Sequence, residues 1–322
     1  MFGRSFNGLV IAFWLLTMTW LVTEKVIPPL LGGNTPDYQS ALDAPETQNK
    51  TDVWKLRWKG QTIGYAASRI VPQANGDVDQ CSFVQFDDLP VESLLSELLG
   101  PMSAVVKPFL TESRDVTLDL LVATRLRYDQ RRQLQNFDTT IDLADYLNFL
   151  SVQGVVHPEG ELELVARLSS RLGAGREFRH RVQLPPEALV DGSLSPRSEL
   201  KDLHVGQSWT IPVFRSFPPN SPIQIVEAKV TKYDIILWGN DEVETFEVVY
   251  QTDAGSGVNA TRRPFSREWV RADGRVLRRE IQFSGVEVVF ELQGESEIDD
   301  HARQLDDLIK RLWKNEAGGE RG

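Results

Sequence analysis

Glu161-Leu162-Glu163-Leu164-Val165-Ala166-Arg167-Leu168 is the stretch that decides the fold class. Leu162, Leu164, Ala166 and Leu168 fall on one face of an extended chain, and Glu161, Glu163 and Arg167 on the other. A period of two is that of a β-strand with one buried and one wet face. The same alternation recurs on both sides. Leu118, Leu120, Val122 and Leu126 share a face in 117–128, as do Phe178, His180, Val182 and Leu184 in 176–184. Phe246, Val248 and Tyr250 alternate with Thr245 and Glu247; Val286, Val288, Phe290 and Leu292 alternate with Glu287 and Glu291. Strands of parallel α/β sheets read instead as continuous apolar runs, so these strands are expected to be antiparallel. Asn75-Gly76, Glu159-Gly160 and Asp273-Gly274 stand between strand-like runs, where glycine supplies the positive φ of a tight hairpin. About a dozen strands fit between Val53 and Leu292.

The expected architecture is therefore mainly β: a large curved antiparallel sheet or half-barrel with a few short helices. Residues 90–99 and 102–110 carry short helical patterns. The β-rich domain is expected over 51–297, as one body or as two units, 51–184 and 208–297, joined by a weakly patterned stretch. At the C-terminus, 298–322, the period changes. Ile298, Ala302, Leu305, Ile309 and Leu312 form one stripe of an amphipathic helix. Asp306–Lys310 and Asp307–Arg311 are spaced to pair along it. Packing against the sheet, over Val289, is the expected role of the stripe; a coiled-coil seam would need more heptads.

Residues 1–31 read as a signal anchor. Gly8 to Val22, GLVIAFWLLTMTWLV, carries no charge, and no small-x-small cleavage pattern follows it. Fifteen helical residues span only ~22 Å against a hydrocarbon core of ~30 Å. Val26 and Ile27 extend the run, Lys25 can snorkel, and Trp14 and Trp20 suit an interface. A cleaved signal and a buried helix are the alternatives. Membrane lipid is thus an expected partner through residues 8–27, with the bulk of the chain outside the cytoplasm, on the periplasmic side of an inner membrane. Residues 32–50 read as a spacer: two prolines, turn formers and no apolar period.

The chain of 322 residues carries 46 acidic and 35 basic side chains, a net charge of −11. That balance argues against nucleic-acid binding, which needs a basic footprint. A single cysteine, Cys81, excludes an intramolecular disulfide and multi-cysteine zinc motifs. Its strand setting, Gln80-Cys81-Ser82-Phe83-Val84, marks a small buried hydrophobe rather than a nucleophile. His180 reads as a core histidine. Asp77, Asp79, Asp87 and Asp88 lack the offsets of a calcium loop and read as hairpin acids. Arg125, Arg127, Arg131 and Arg132 read as a solvated basic face. No nucleotide-binding loop, nucleophile elbow or H-E-x-x-H motif occurs, and no catalytic, cofactor-binding or metal residue is assigned.

The run Trp54-Lys55-Leu56-Arg57-Trp58-Lys59-Gly60-Gln61-Thr62-Ile63-Gly64-Tyr65 resembles the opening of a β-rich domain of bacterial envelope proteins. That domain precedes the catalytic domain in some membrane-anchored transglutaminase-like proteins. Leu184-Pro185-Pro186, Val205-Gly206-Gln207-Ser208, and Glu268-Trp269-Val270 through Asp273-Gly274-Arg275-Val276-Leu277-Arg278 are similar in order and spacing. The resemblance spans about 52–292 and implies an accessory envelope domain without its enzyme; it carries over no active-site residue. Two functions are expected from these readings. One is a non-catalytic, membrane-tethered scaffold with an envelope protein partner. The other is a carrier of an apolar ligand, a lipid or an acyl chain, in a half-barrel cavity.

Overall fold

The computed structural model describes residues 3–21, 35–38, 40–43, 48–90, 117–143, 146–169, 177–185, 188–191, 198–215, 223–252, 264–283, 286–294 and 299–319. Fifteen strands form one curved sheet that is not closed. The first eight are β1 (Thr51–Trp58), β2 (Gln61–Pro72), β3 (Val78–Pro90), β4 (Thr117–Tyr128), β5 (Leu134–Leu143), β6 (Tyr146–Val156), β7 (Glu161–Leu168) and β8 (Glu177–Gln183). The others are β9 (Leu189–Asp191), β10 (Ser208–Arg215), β11 (Gln224–Trp238), β12 (Asp241–Thr252), β13 (Ser266–Arg271), β14 (Val276–Phe283) and β15 (Val286–Leu292). The chain runs outward from β1 to β8, crosses to the opposite edge at β9, and returns to β15, which pairs with β1. Two meanders thus meet at the centre of one sheet. Every pairing is antiparallel except β9 with β10, a three-residue parallel contact at the edge.

Among the described residues three helices accompany the sheet: α1 (Gly3–Leu21), α2 (Ser40–Asp43) and α3 (Asp299–Gly319). In α1, Ile11, Phe13, Trp14, Leu16 and Trp20 are exposed. No helix among the described residues is long and apolar enough to cross a membrane. The helical patterns over 91–110 fall outside the described residues.

Large side chains from both meanders, among them Trp54, Phe137, Phe149, Phe214 and Phe290, form one buried cluster on one face of the sheet. The expected alternation in β15 holds: Val288, Phe290 and Leu292 are buried, and Glu287 is exposed. Gly154 explains how one ring fits. It lies opposite Phe137, and a Cβ there would fall 2.2 Å from the ring. The hairpin glycines Gly76, Gly160 and Gly274 take φ of 87°, 80° and 90°.

On the opposite face α3 lays Leu305, Leu308 and Ile309 against Val53, Ala67, Cys81, Phe83 and Ala123. The two alanines lower the surface there, so a helix can approach closely. Val289 is not part of this cluster: the helix docks over β1–β4, displaced from the position that the sequence suggested. The charge pairs differ as well. Asp306 binds Arg69, Arg311 reaches Asp142 at 3.3 Å, and Lys310 pairs with Asp307 at i,i+3. Tertiary partners displace the i,i+4 pairs because docking holds them in fixed positions.

Two residues correct the sequence reading. Arg125, expected in water, is 2 % exposed; its Nη2 donates to Asp138 Oδ2 at 3.0 Å, and Cys81 is its other cross-strand neighbour. Alternation identified its face correctly but not that this face is covered. His180, expected in the core, is exposed along with Phe178. β8 is an edge of the unclosed sheet; of its inner side chains Val182 packs against the core cluster, whereas Phe178 and His180 stay exposed.

Candidate functional site

The turns 73–77, 129–133 and 157–160 lie at one end of the first meander, because up-and-down strands put alternate turns at the same end. The start of β1, the end of β8 and the β13–β14 turn reach this end too: Thr51 pairs with Arg69, Glu161 with Gln183, and Arg275 Nη2 donates to Asp52 Oδ1 at 3.1 Å. A cavity of about 570 Å³ sits here. Its apolar wall includes Ile70, Leu126, Tyr128, Leu134, Val156 and Leu184, and its exposed rim includes Gln133, Pro158 and Glu159.

Part of the wall comes from the segment read as a spacer. Pro36 and Leu42 are buried. Trp209 Nε1 donates to Tyr38 Oη at 2.6 Å, Arg132 Nη2 lies 2.6 Å from Asp43 Oδ1, and Gln48 makes a parallel bridge with Ile70. The described residues 35–38, 40–43 and 48–50 therefore strap the cavity, and Tyr38 and Leu42 line it. The signal in the sequence was slight: two apolar side chains four apart, the spacing of one helical turn. Replacing Tyr38 with Phe should cost about 1–2 kcal/mol, since the Trp209 N–H loses its acceptor. Thermal melting measures this, and limited proteolysis should cut faster within 35–50. Unchanged cutting would show that the strap is held elsewhere.

Most charges around the cavity are already matched. Asp52 faces Arg275, and Glu199 faces Lys201 at 3.1 Å. Asp129 Oδ1 accepts the backbone N–H groups of Arg131 and Gln133, each at 2.8 Å. Arg69 donates to Thr51 and Asp306, Arg132 pairs with Asp43, and His157 Nε2 lies 3.3 Å from Glu163 Oε2.

The acids near the first hairpin do not gather. Asn75 and Asp77 close the turn, whereas Asp79 is fully buried and accepts from Arg127 Nε at 2.9 Å and from Gln73. Among the described residues no group of three or more potential metal ligands occurs. Cys81 lies under α3, away from the cavity. Burial pushes its thiol up to about 12, and Asp79 adds to the shift against the opposing pull of Arg125, Arg69 and Arg127.

No family model matches the chain, and no curated protein matches it. Among solved structures it is similar to the crystal structure of a β-barrel-like protein of a domain of unknown function, DUF1849, from Brucella abortus. The two share 10 % identity with a TM-score of 0.43, over 76 % of this chain and 95 % of that one.

Proposed function

We propose that the protein is a non-catalytic, membrane-tethered envelope protein that binds an apolar or amphiphilic ligand in the cavity at the hairpin end. The cavity is the observation that supports this. A protein interior is otherwise packed to the density of an organic crystal, so an opening of about 570 Å³ is large. It lies within the range of about 300–1,000 Å³ typical of small-molecule sites, and its lining is apolar and polar in about equal parts, which suits an amphiphilic ligand. The tether is α1, whose exposed Phe13, Trp14, Leu16 and Trp20 would be costly in water and suit a lipid surface. The resemblance to an accessory envelope domain supports a sheet that lies outside the cytoplasm.

The test is binding of the uncharged fluorophore 1-aminoanthracene to the full chain in mild detergent. Saturable binding is expected, and Leu134→Trp, which fills the cavity, should abolish it while leaving the melt cooperative. No saturable binding, or binding untouched by the filled cavity, would overturn the reading.

A second reading, an interaction module, is favoured by one feature of the β11–β12 hairpin. Beyond a bulge at Val230/Lys232, Tyr233, Ile235 and Leu237 are 62–71 % exposed, and Ile235 and Leu237 lie opposite Glu244 and Glu242. An envelope protein with a basic, apolar face would cover them. Photo-crosslinking from position 235 in intact membranes tests this; no discrete crosslinked product would remove it.

A further inference from the structure

We propose that the ligand carries an anionic head group on its apolar chain, and that Lys50 is the counter-ion that holds it. The inference rests on the cavity reading above and specifies the class of molecule bound.

Lys50 is the cation of the described lining that no carboxylate matches. Among the described side chains lining the cavity, the cations are Lys50, Arg69 and Arg132. Arg69 is drawn to the helix-covered face by Thr51 and Asp306, and Arg132 is neutralised by Asp43. Lys50 has no carboxylate partner among the described residues. Of the acids, Asp52 and Glu199 face cations, Asp129 accepts backbone N–H groups and keeps its charge, and Glu159 stands out in solvent on a turn. Lys50 is therefore the lining cation without a carboxylate, and the lining carboxylates without a cation, Asp129 and Glu159, lie on the β4–β5 and β6–β7 turns.

Its position is also fixed. Asn49 N–H donates to Ile70 O at 2.8 Å, Asn49 takes a left-handed φ of 61°, and Thr51 begins β1. Lys50 is held between these, half-buried, beside the apolar wall of Ile70 and Leu126. An ammonium on a flexible stem in the lining of a cavity that is partly apolar matches an acyl chain that ends in a carboxylate or a phosphate. An uncharged chain would leave it uncompensated. The two head groups share this chemistry, so the experiment carries both.

The experiment is displacement of 1-aminoanthracene from the full chain by four competitors: oleate, lysophosphatidate, oleyl alcohol and inorganic phosphate. Oleate, lysophosphatidate or both should compete about tenfold better than oleyl alcohol, as a charge-assisted contact supplies. Which of them does so identifies the head group. Phosphate alone should not compete. Lys50→Met should reduce the preference to under about twofold, Lys50→Arg should restore most of it, and both variants should still bind the uncharged fluorophore. Equal competition by oleyl alcohol, a preference that survives Lys50→Met, or competition by free phosphate at the same concentration would overturn the inference. In each of those outcomes the fluorophore still binds, so the cavity reading stands. Failure of the fluorophore itself to bind would remove both.

Discussion

Deleting 299–322 should make Cys81 react with a thiol reagent at pH 8 on the order of 10³-fold faster than in the full chain. The thiolate is the reacting species. With its pKa pushed up to about 12, the buried thiol is ionised to about one part in 10⁴ at this pH; near the ordinary 8.5 the fraction is roughly a quarter. That ratio alone gives the factor, before any gain in access. The cause is the helix. Leu305, Leu308 and Ile309 lie over Val53, Ala67, Cys81, Phe83 and Ala123, and burial is the largest contribution to the shift. Three guanidiniums, those of Arg125, Arg69 and Arg127, favour the thiolate and are outweighed. Because the truncated chain could misfold, Leu305→Ala in the full chain is the second variant. It should lower stability by about 2–5 kcal/mol and speed labelling in proportion to local opening. If both variants fold and Cys81 stays inert, the helix does not protect this face.

The sheet was legible from the sequence because its signals are local. A period of two in Val288, Phe290 and Leu292 states which face each side chain takes, and a glycine at Gly76, Gly160 or Gly274 states where the chain must turn. What covers a face is not local. Arg125 and His180 were both assigned to a face by alternation, and both environments came out reversed. One lies on the face where α3 docks, 180 residues away in sequence; the other stands on an edge that no strand closes. Pairing of β1 with β15 and the parallel contact of β9 with β10 are long-range in the same sense, since nothing in a strand's own composition names its neighbour.

The cavity was not legible, and for a related reason. Its walls come from hairpin ends, where the period of two stops, and from Tyr38, Leu42 and Lys50 of a segment that has no period of its own. Lys50 stands out only once its neighbours are seen to be paired with one another. A lysine is ordinary on any surface; it becomes informative where the other cations of the same lining, Arg69 and Arg132, are held by carboxylates and it is not. That is a property of the assembled end of the sheet.

Gly64→Ala should destabilise the protein by about 3–5 kcal/mol, a fall of roughly 10 °C in the melting temperature. Gly64 pairs with Leu56 on one side and Phe86 on the other, where β1 shifts register at Leu56/Arg57. Its φ of 149° is one that side chains rarely adopt. An added Cβ would fall 2.0 Å from Gln85 O and 2.9 Å from Phe86 Cα. Both are backbone atoms of β3, so relief requires the β2–β3 pairing itself to open beside Trp54 and Phe86 in the core. Gly60 supplies the control. It sits in the β1–β2 turn with φ of 81°, and a Cβ there meets nothing within 4 Å. Gly60→Ala therefore carries the conformational cost without the collision, about 1 kcal/mol. A loss several times larger at Gly64 than at Gly60 identifies the close approach of β3 as the cause. Equal losses at the two positions would leave only the backbone angle, and a Gly64→Ala melt within 2 °C of the parent would mean that β2 and β3 do not approach each other there.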